Sequence, residues 1–275
     1  MRRSCFPCSL RPAYDGLMPL TEEPLDAWIC RPLSKAIVAA LHPTGMTANQ
    51  ITVVAALVGV TGGAAVGVGR REWTIAGVAL LVLFMILDCA DGEMARRRGG
   101  GSRLGQVLDG ISDYLVAISV HVGLLIVALR LPYSAWIALV VVAAAGLCNA
   151  LHSARFDAAK ARFRLGLGQN VYALESHDAL VAELQAAKTW RDRFVLRLYI
   201  PYVSFQRGVG AGAGAIGQRE FLAWCVLGPT MRMSIIVLAL VGSLWDARSL
   251  FVYPAFGIVA GNLWLAGLTL TSRRS

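Results

Sequence analysis

Four aspartates stand out by type and spacing. From residue 88 the chain reads Asp-Cys-Ala-Asp-Gly-Glu-Met-Ala-Arg, and after Gly105 it continues with Asp109 and Asp113. At 100° per residue, Asp88 and Asp91 lie about 60° apart on a helix and Asp109 and Asp113 about 40° apart, so each pair forms a two-carboxylate blade. Ligation by carboxylates alone selects a hard cation, Mg²⁺ or Mn²⁺ before Zn²⁺. A solvated helix end is the ordinary setting for acids beside a membrane. Here, however, Asp88 follows an unbroken apolar run and Asp113 precedes one, where each acid costs roughly 2.5 to 3.5 kcal/mol at mid-bilayer depth. Divalent cations explain the cluster better.

The elements that must carry these residues are membrane helices. The chain has 275 residues, 56% hydrophobic and 16% charged, which is too apolar for a soluble domain of this length. Runs long enough to cross about 30 Å of hydrocarbon fall at roughly 51–69, 73–95, 108–129, 133–152, 221–245 and 250–271. The fifth contains Gly228, Pro229 and Arg232, and a helix kinked at the proline is expected there. Trp28 to Leu41 reads as an amphipathic interfacial helix with Arg31 and Lys35 toward headgroups. The predicted fold is therefore an all-α membrane protein of six transmembrane helices preceded by an interfacial helix. Residues 1–50 form the N-terminal segment and 51–275 the transmembrane domain, with a polar insertion at about 153–218.

Inside the insertion, Leu180, Leu184, Ala187 and Trp190 recur at helical spacing, which predicts one or two amphipathic surface helices. A flexible run is expected from Gly208 to Gly217. Lysine and arginine number 22 on the side holding both termini and the aspartates, against 4 on the other, so the first side is predicted to be cytoplasmic. The net charge of +9 lies in loops without interleaved aromatics, which points to anionic lipid and nucleotide phosphate rather than nucleic acid. The six cysteines are scattered and imply no disulfide framework, and the Cys5-x2-Cys8 pair alone is a weak metal or redox signal.

Between the two acid pairs, Gly99, Gly100 and Gly101 break the helix and let the next segment return antiparallel, so that four carboxylates meet at one end of a helical hairpin. Gly92 and Ala95 are small enough for a flat base or a diphosphate to approach the backbone closely, though small residues also serve close helix packing. Arg96 offers a fork of donors to phosphate. Thr47 and Asn49, just before the first span, could touch a nucleotide, and an N-cap role for Thr47 fits equally well. His121 reads as an interhelical hydrogen-bond partner. Arg155, Arg162, Arg164 and Arg232 would meet lipid phosphates or an anionic acceptor, with lipid favoured.

The pattern D-x2-D-G-x2-A-R-x8-G-x3-D-x3-D, matched at every position from Asp88 to Asp113, resembles the signature of the CDP-alcohol phosphotransferases. Six spans after an interfacial helix extend the likeness. The resemblance implies that Asp88, Asp91 and Asp109 hold two divalent ions, Mg²⁺ or Mn²⁺. It also implies that Asp113 completes the site and acts as base, and that Gly92, Ala95, Arg96 and Gly105 shape the pocket for the CDP moiety. The implied reaction moves a substituted phosphate from a CDP-linked donor to an alcohol acceptor with release of CMP, in polar-lipid synthesis, by a homodimer among membrane lipids. Two other classes compete. A cation-coupled transporter would need polar residues at several depths, and a Mg²⁺-dependent membrane prenyltransferase would repeat D-x3-D on separate halves.

Overall fold

The computed structural model describes residues 21–168, 177–209 and 214–272, and every regular element among them is helical. A π-helical turn, Asp26–Cys30, runs into α1, Arg31–Leu41. Then follow α2 (Ala48–Val68), α3 (Arg71–Arg97), α4 (Arg103–Ala128) and α5 (Ala135–Gly166). The polar region supplies α6 (His177–Ala186) and α7 (Trp190–Val209). The chain closes with α8 (Gln218–Trp224), α9 (Pro229–Ser243), α10 (Val252–Ala255) and α11 (Gly261–Ser272). Among the described residues six segments are long and apolar enough to span a bilayer, the fifth being Gln218–Ser243 and the sixth Ala247–Leu270. Six such segments make this an integral membrane protein.

Sequence chemistry sets the boundaries that matter for the aspartates. Thr47 caps α2 through a capping box in which its hydroxyl accepts from Gln50 N at 3.3 Å and the Gln50 side chain accepts from Thr47 N at 2.8 Å. Ser102 caps α4 by accepting from Gly105 N at 3.0 Å. Between α3 and α4, Gly99 (φ 99°) and Gly100 (φ 120°) occupy backbone that a side chain would strain, so this turn depends on glycine. At the opposite end of the molecule, Arg71 donates to Leu244 O at 2.8 Å and Arg130 to Val68 O, satisfying carbonyls that helix ends leave bare.

The hairpin expected of α3 and α4 is open rather than closed. α2 packs along the length of both, while α3 and α4 make little backbone contact with each other. Small residues on α2 allow this. A methyl at Gly63 would come within 2.5 Å of Ser119 Oγ and 2.6 Å of its backbone carbon, and one at Gly59 within 2.6 Å of Val116. Gly59, Gly63 and Gly67 recur every four residues, the small-xxx-small spacing by which membrane helices approach closely. Ser119 adds a hydrogen bond to Val60 O at 2.8 Å. The core around Val66, Leu81, Phe84, Val116 and Val120 continues into Ile236 and Leu240 of α9.

Other expectations need correcting. The fifth span is broken, not kinked: α8 ends in a 3-10 turn at Cys225–Leu227, Gly228 is extended, and Pro229 starts a new helix where its missing N–H costs nothing. α5 continues past residue 152 to Gly166, so the region read as an insertion begins as a helical extension. Leu180 of α6 packs with Leu196, Tyr199 and Val203 of α7 and with Val107 of α4, whereas Trp190 is 72% exposed and off the buried face. Arg31 does not face headgroups, since its side chain is 13% accessible and pairs with Glu22 at 3.1 Å. Residues 210–213 of the expected flexible run, and Cys5 and Cys8, lie outside the described residues.

Candidate active site

α3 brings Asp88 and Asp91, and α4 brings Asp109, to a point where one carboxylate oxygen from each lies within 4.8 Å of the others. The open splay of α3 and α4 leaves room between the blades, and the N-terminal turn of α2 stands in that gap. Asp91 is buried and Asp88 half-buried, while Asp109 is exposed. Three carboxylates this close repel one another unless cations intervene. Asp88 Oδ1 is buried and has no hydrogen-bond partner, an uncompensated acceptor of the kind that a cation satisfies. The all-oxygen donor set suits Mg²⁺ or Mn²⁺, so these residues fit the metals that the sequence pattern implied.

Asp113 stands one turn further along α4, outside the trio but within electrostatic range of Asp88, Asp91 and Asp109, and also of Asp157 of α5 and Arg232 of α9. Four acids were expected at one point. The structure brings three within 4.8 Å and keeps the fourth in electrostatic reach of all of them.

Thr52, one turn into α2, is absent from the sequence reading. Its hydroxyl is buried and donates to Asp91 Oδ2 at 2.5 Å, aligning that carboxylate toward Asp88 and Asp109. A polar residue on the same face as Asn49, three positions before it, was the available signal. Asn49 Oδ1 would sit 3.1 Å from a methyl group at Gly105, so α2 and α4 meet closely there. Asn49 also lines an open groove of about 700 Å³ with Thr44, Met46, Val53, Val54 and Leu108. Thr47 serves as the N-cap, the structural alternative of its two readings.

Gly92 and Ala95 are half-buried on α3, and a methyl at Gly92 would stand 3.4 Å from Arg96 Nη1. The Arg96 fork is held by Glu93, at 3.2 Å from Nε and 2.9 Å from Nη2, with Glu22 at 3.9 Å from Nη1. Glu22 belongs to a short acidic stretch that sequence reasoning passed over. Its neighbour Glu23 is 2% exposed and accepts from Thr230 N at 3.3 Å and Met231 N at 3.2 Å, at the N-terminus of α9. Burial and nearby Asp26 push the Glu23 carboxyl up to about 7, against Lys160 and the two amides, which pull it down.

Arg232 was expected at lipid phosphates, but it is 4% exposed. It donates to the Asn149 carbonyl, to Asn149 Oδ1 at 2.9 Å and to Ser153 Oγ at 3.1 Å, which fastens α9 to α5. His121 does what a membrane histidine commonly does: it bonds Tyr253 across helices at 2.9 Å.

Residues 45–167 match the family model described as CDP-alcohol phosphatidyltransferase. The phosphatidylinositol phosphate synthase of Mycolicibacterium smegmatis is 34% identical over 97 residues, 35% of this chain and 40% of that protein. That of Mycobacterium tuberculosis strain H37Rv is 33% identical over 93 residues, 34% of this chain and 42% of that protein. This chain therefore spans about two fifths of the length of the curated relatives it matches. The crystal structure of Mycobacterium tuberculosis phosphatidylinositol phosphate synthase, in complex with manganese and citrate, superposes with a TM-score of 0.50. It does so at 18% identity over 89% of this chain and 88% of that one, a likeness of fold. The matched stretch contains α2, α3, α4 and the three gathered carboxylates, so the part of the chain that carries them, residues 45–167, is similar to the CDP-alcohol phosphatidyltransferases.

Proposed function

We propose that this protein transfers a phosphatidyl group from a CDP-linked lipid donor to the hydroxyl of a small phosphorylated alcohol, releasing CMP, in phospholipid synthesis. The observation that carries the reading is the close meeting of Asp88, Asp91 and Asp109 within the family-matched stretch. The names of the relatives, all phosphatidylinositol phosphate synthases, favour an inositol phosphate acceptor.

In this reading Asp88, Asp91, Asp109 and Asp113 supply the ligands for two divalent ions, Mg²⁺ or Mn²⁺. Bound there, the ions neutralise the donor diphosphate and the charge that develops on the leaving CMP. Gly92, Ala95 and Gly105 keep the backbone accessible to the CDP moiety, and Asn49 borders it. Arg96 exchanges its carboxylate partners for phosphate. Asp113 accepts the acceptor's hydroxyl proton as the new O–P bond forms and the pyrophosphate bond to CMP breaks. In the same reading the site faces the cytoplasm, which the charge bias supports and where a nucleotide-linked donor has access. The homodimer implied by the family resemblance belongs to the same proposal.

A transporter is disfavoured because the gathered acids sit at one end of α3 and α4 and are not distributed along a path. A prenyltransferase is disfavoured because a single clustered set occurs. CMP release from CDP-diacylglycerol, measured with purified protein against inositol phosphate, glycerol phosphate and inositol, tests the proposal. Metal-dependent release with inositol phosphate supports it. Release with none of the three, while the protein remains folded and binds metal, overturns it.

A further inference from the structure

A second group of ligand-type side chains lies beside the carboxylate site. Asp26 and Cys30 stand four positions apart on the π-helical turn, and Cys89 follows Asp88 on α3. One Asp26 oxygen and the two sulfurs lie within 4.8 Å of one another. Short π-helical segments are rare and concentrate at functional sites. Cys30 is 4% exposed and Cys89 half-buried, and both are free thiols. The Cys89 thiol donates to Asp26 Oδ1 at 3.6 Å, and the same oxygen accepts from the Thr230 hydroxyl at 2.6 Å. Asp26 is thus oriented from α9, as outer-shell donors orient metal-binding carboxylates.

The donor types separate this group from the neighbouring aspartates. Oxygen ligands alone hold hard ions, whereas two sulfurs with one carboxylate favour the zinc class. Consecutive residues on one helix, Asp88 and Cys89, therefore belong to sets of opposite preference. At Zn–S of about 2.3 Å and Zn–O of about 2.0 to 2.2 Å, tetrahedral ligand atoms stand roughly 3.5 to 3.8 Å apart, so the present spread closes with side-chain shifts of about 1 Å or less.

We propose that Asp26, Cys30 and Cys89 form a binding site for one thiophilic divalent ion of the Zn²⁺ class, distinct from the carboxylate site. The two sulfurs and the carboxylate occupy three tetrahedral positions and leave the fourth to water. On binding, each thiol releases its proton to solvent, and the dication with two thiolates and one carboxylate carries a net charge of −1. The ion ties the interfacial segment to α3 immediately beside Asp88. The site does not depend on the transfer reaction.

The test uses the full chain, purified in detergent, with Cys5→Ser and Cys8→Ser to remove the two N-terminal thiols. Cd²⁺ is the probe, titrated in excess Mg²⁺ and followed by sulfur-to-cadmium charge-transfer absorption. The band is expected to saturate at one Cd²⁺ per chain and to be displaced by Zn²⁺. Asp26→Asn, which keeps both thiols, weakens Cd²⁺ binding by about tenfold or more, since even outer-shell partners act on that scale. Cys30→Ser with Cys89→Ser abolishes the band in protein that still elutes as a single folded species. Asp88→Asn leaves it in place, which separates this site from the carboxylate reading. A band that persists at full strength in the double cysteine variant, or no band in its parent, overturns the proposal.

Discussion

Replacing Thr52 by valine tests how the structure tunes its carboxylates. The substitution preserves shape within the α2–α3–α4 contact and removes one hydroxyl. That hydroxyl is 2.5 Å from Asp91 Oδ2 and 3.1 Å from Ala48 O, and its single proton goes to the stronger, charged acceptor. Hydrogen bonds to charged groups contribute about 1.5 to 3 kcal/mol, and tenfold in a binding constant corresponds to about 1.4 kcal/mol. Losing the donor also frees the Asp91 carboxylate to rotate away from Asp88 and Asp109. Thr52→Val should therefore weaken Mn²⁺ binding by about 10- to 100-fold, the range found for outer-shell partners of metal ligands. Thr52→Ser, which restores the donor, should recover most of the loss. Mn²⁺ binding is read by the loss of free-ion signal in electron paramagnetic resonance, with helicity as the control for folding. Wild-type affinity in folded Thr52→Val would refute the claim that this hydroxyl positions Asp91.

Asp113→Asn should retain Mn²⁺-dependent CDP binding and lose turnover by about 10²-fold or more, the scale of a missing general base; near-wild-type turnover in the CMP-release assay would remove Asp113 from that role. Cysteines introduced as Ser102→Cys and Ala247→Cys, in a chain without its native cysteines, should label from the cytoplasm and from outside respectively, and the reverse pattern would overturn the orientation. Glu23 supplies a pH dependence. With its carboxyl raised from 4.5 to about 7, the folded protein keeps a proton there that the unfolded chain releases. This group's contribution is complete below pH 4.5 and is lost as pH rises toward about 7. Thermal midpoints measured at pH 5 and pH 7.5 should therefore fall less in Glu23→Gln than in wild type, and an equal fall in both would contradict the assignment.

Much of this architecture was legible because it is local. Apolar run lengths located the six spans, and the spacing of Asp88, Asp91 and Asp109 placed carboxylates on facing helices. What escaped prediction depends on distant residues meeting. The wedge of α2 between α3 and α4 left a trace in Gly59, Gly63 and Gly67, yet their spacing alone does not say which helices they admit. Glu23 capping α9, and Arg232 tying α9 to α5, join segments far apart in sequence, and a charge beside an apolar run reads as headgroup-facing until its partners are known. The break at Gly228 follows the same logic. A methyl group there would collide with the Glu23 carboxylate, so Gly228 serves a partner more than 200 residues earlier.

The most direct test of the central claim is the coupling between divalent metal and CDP. Calorimetric titration of purified protein with CDP, with saturating Mn²⁺ and then with excess EDTA, should show binding only in the presence of metal. Asp91→Asn should lose that binding even at high Mn²⁺. CDP binding of equal strength in EDTA, or undiminished in folded Asp91→Asn, would contradict the assignment of Asp88, Asp91 and Asp109 as the metal ligands that receive the donor diphosphate.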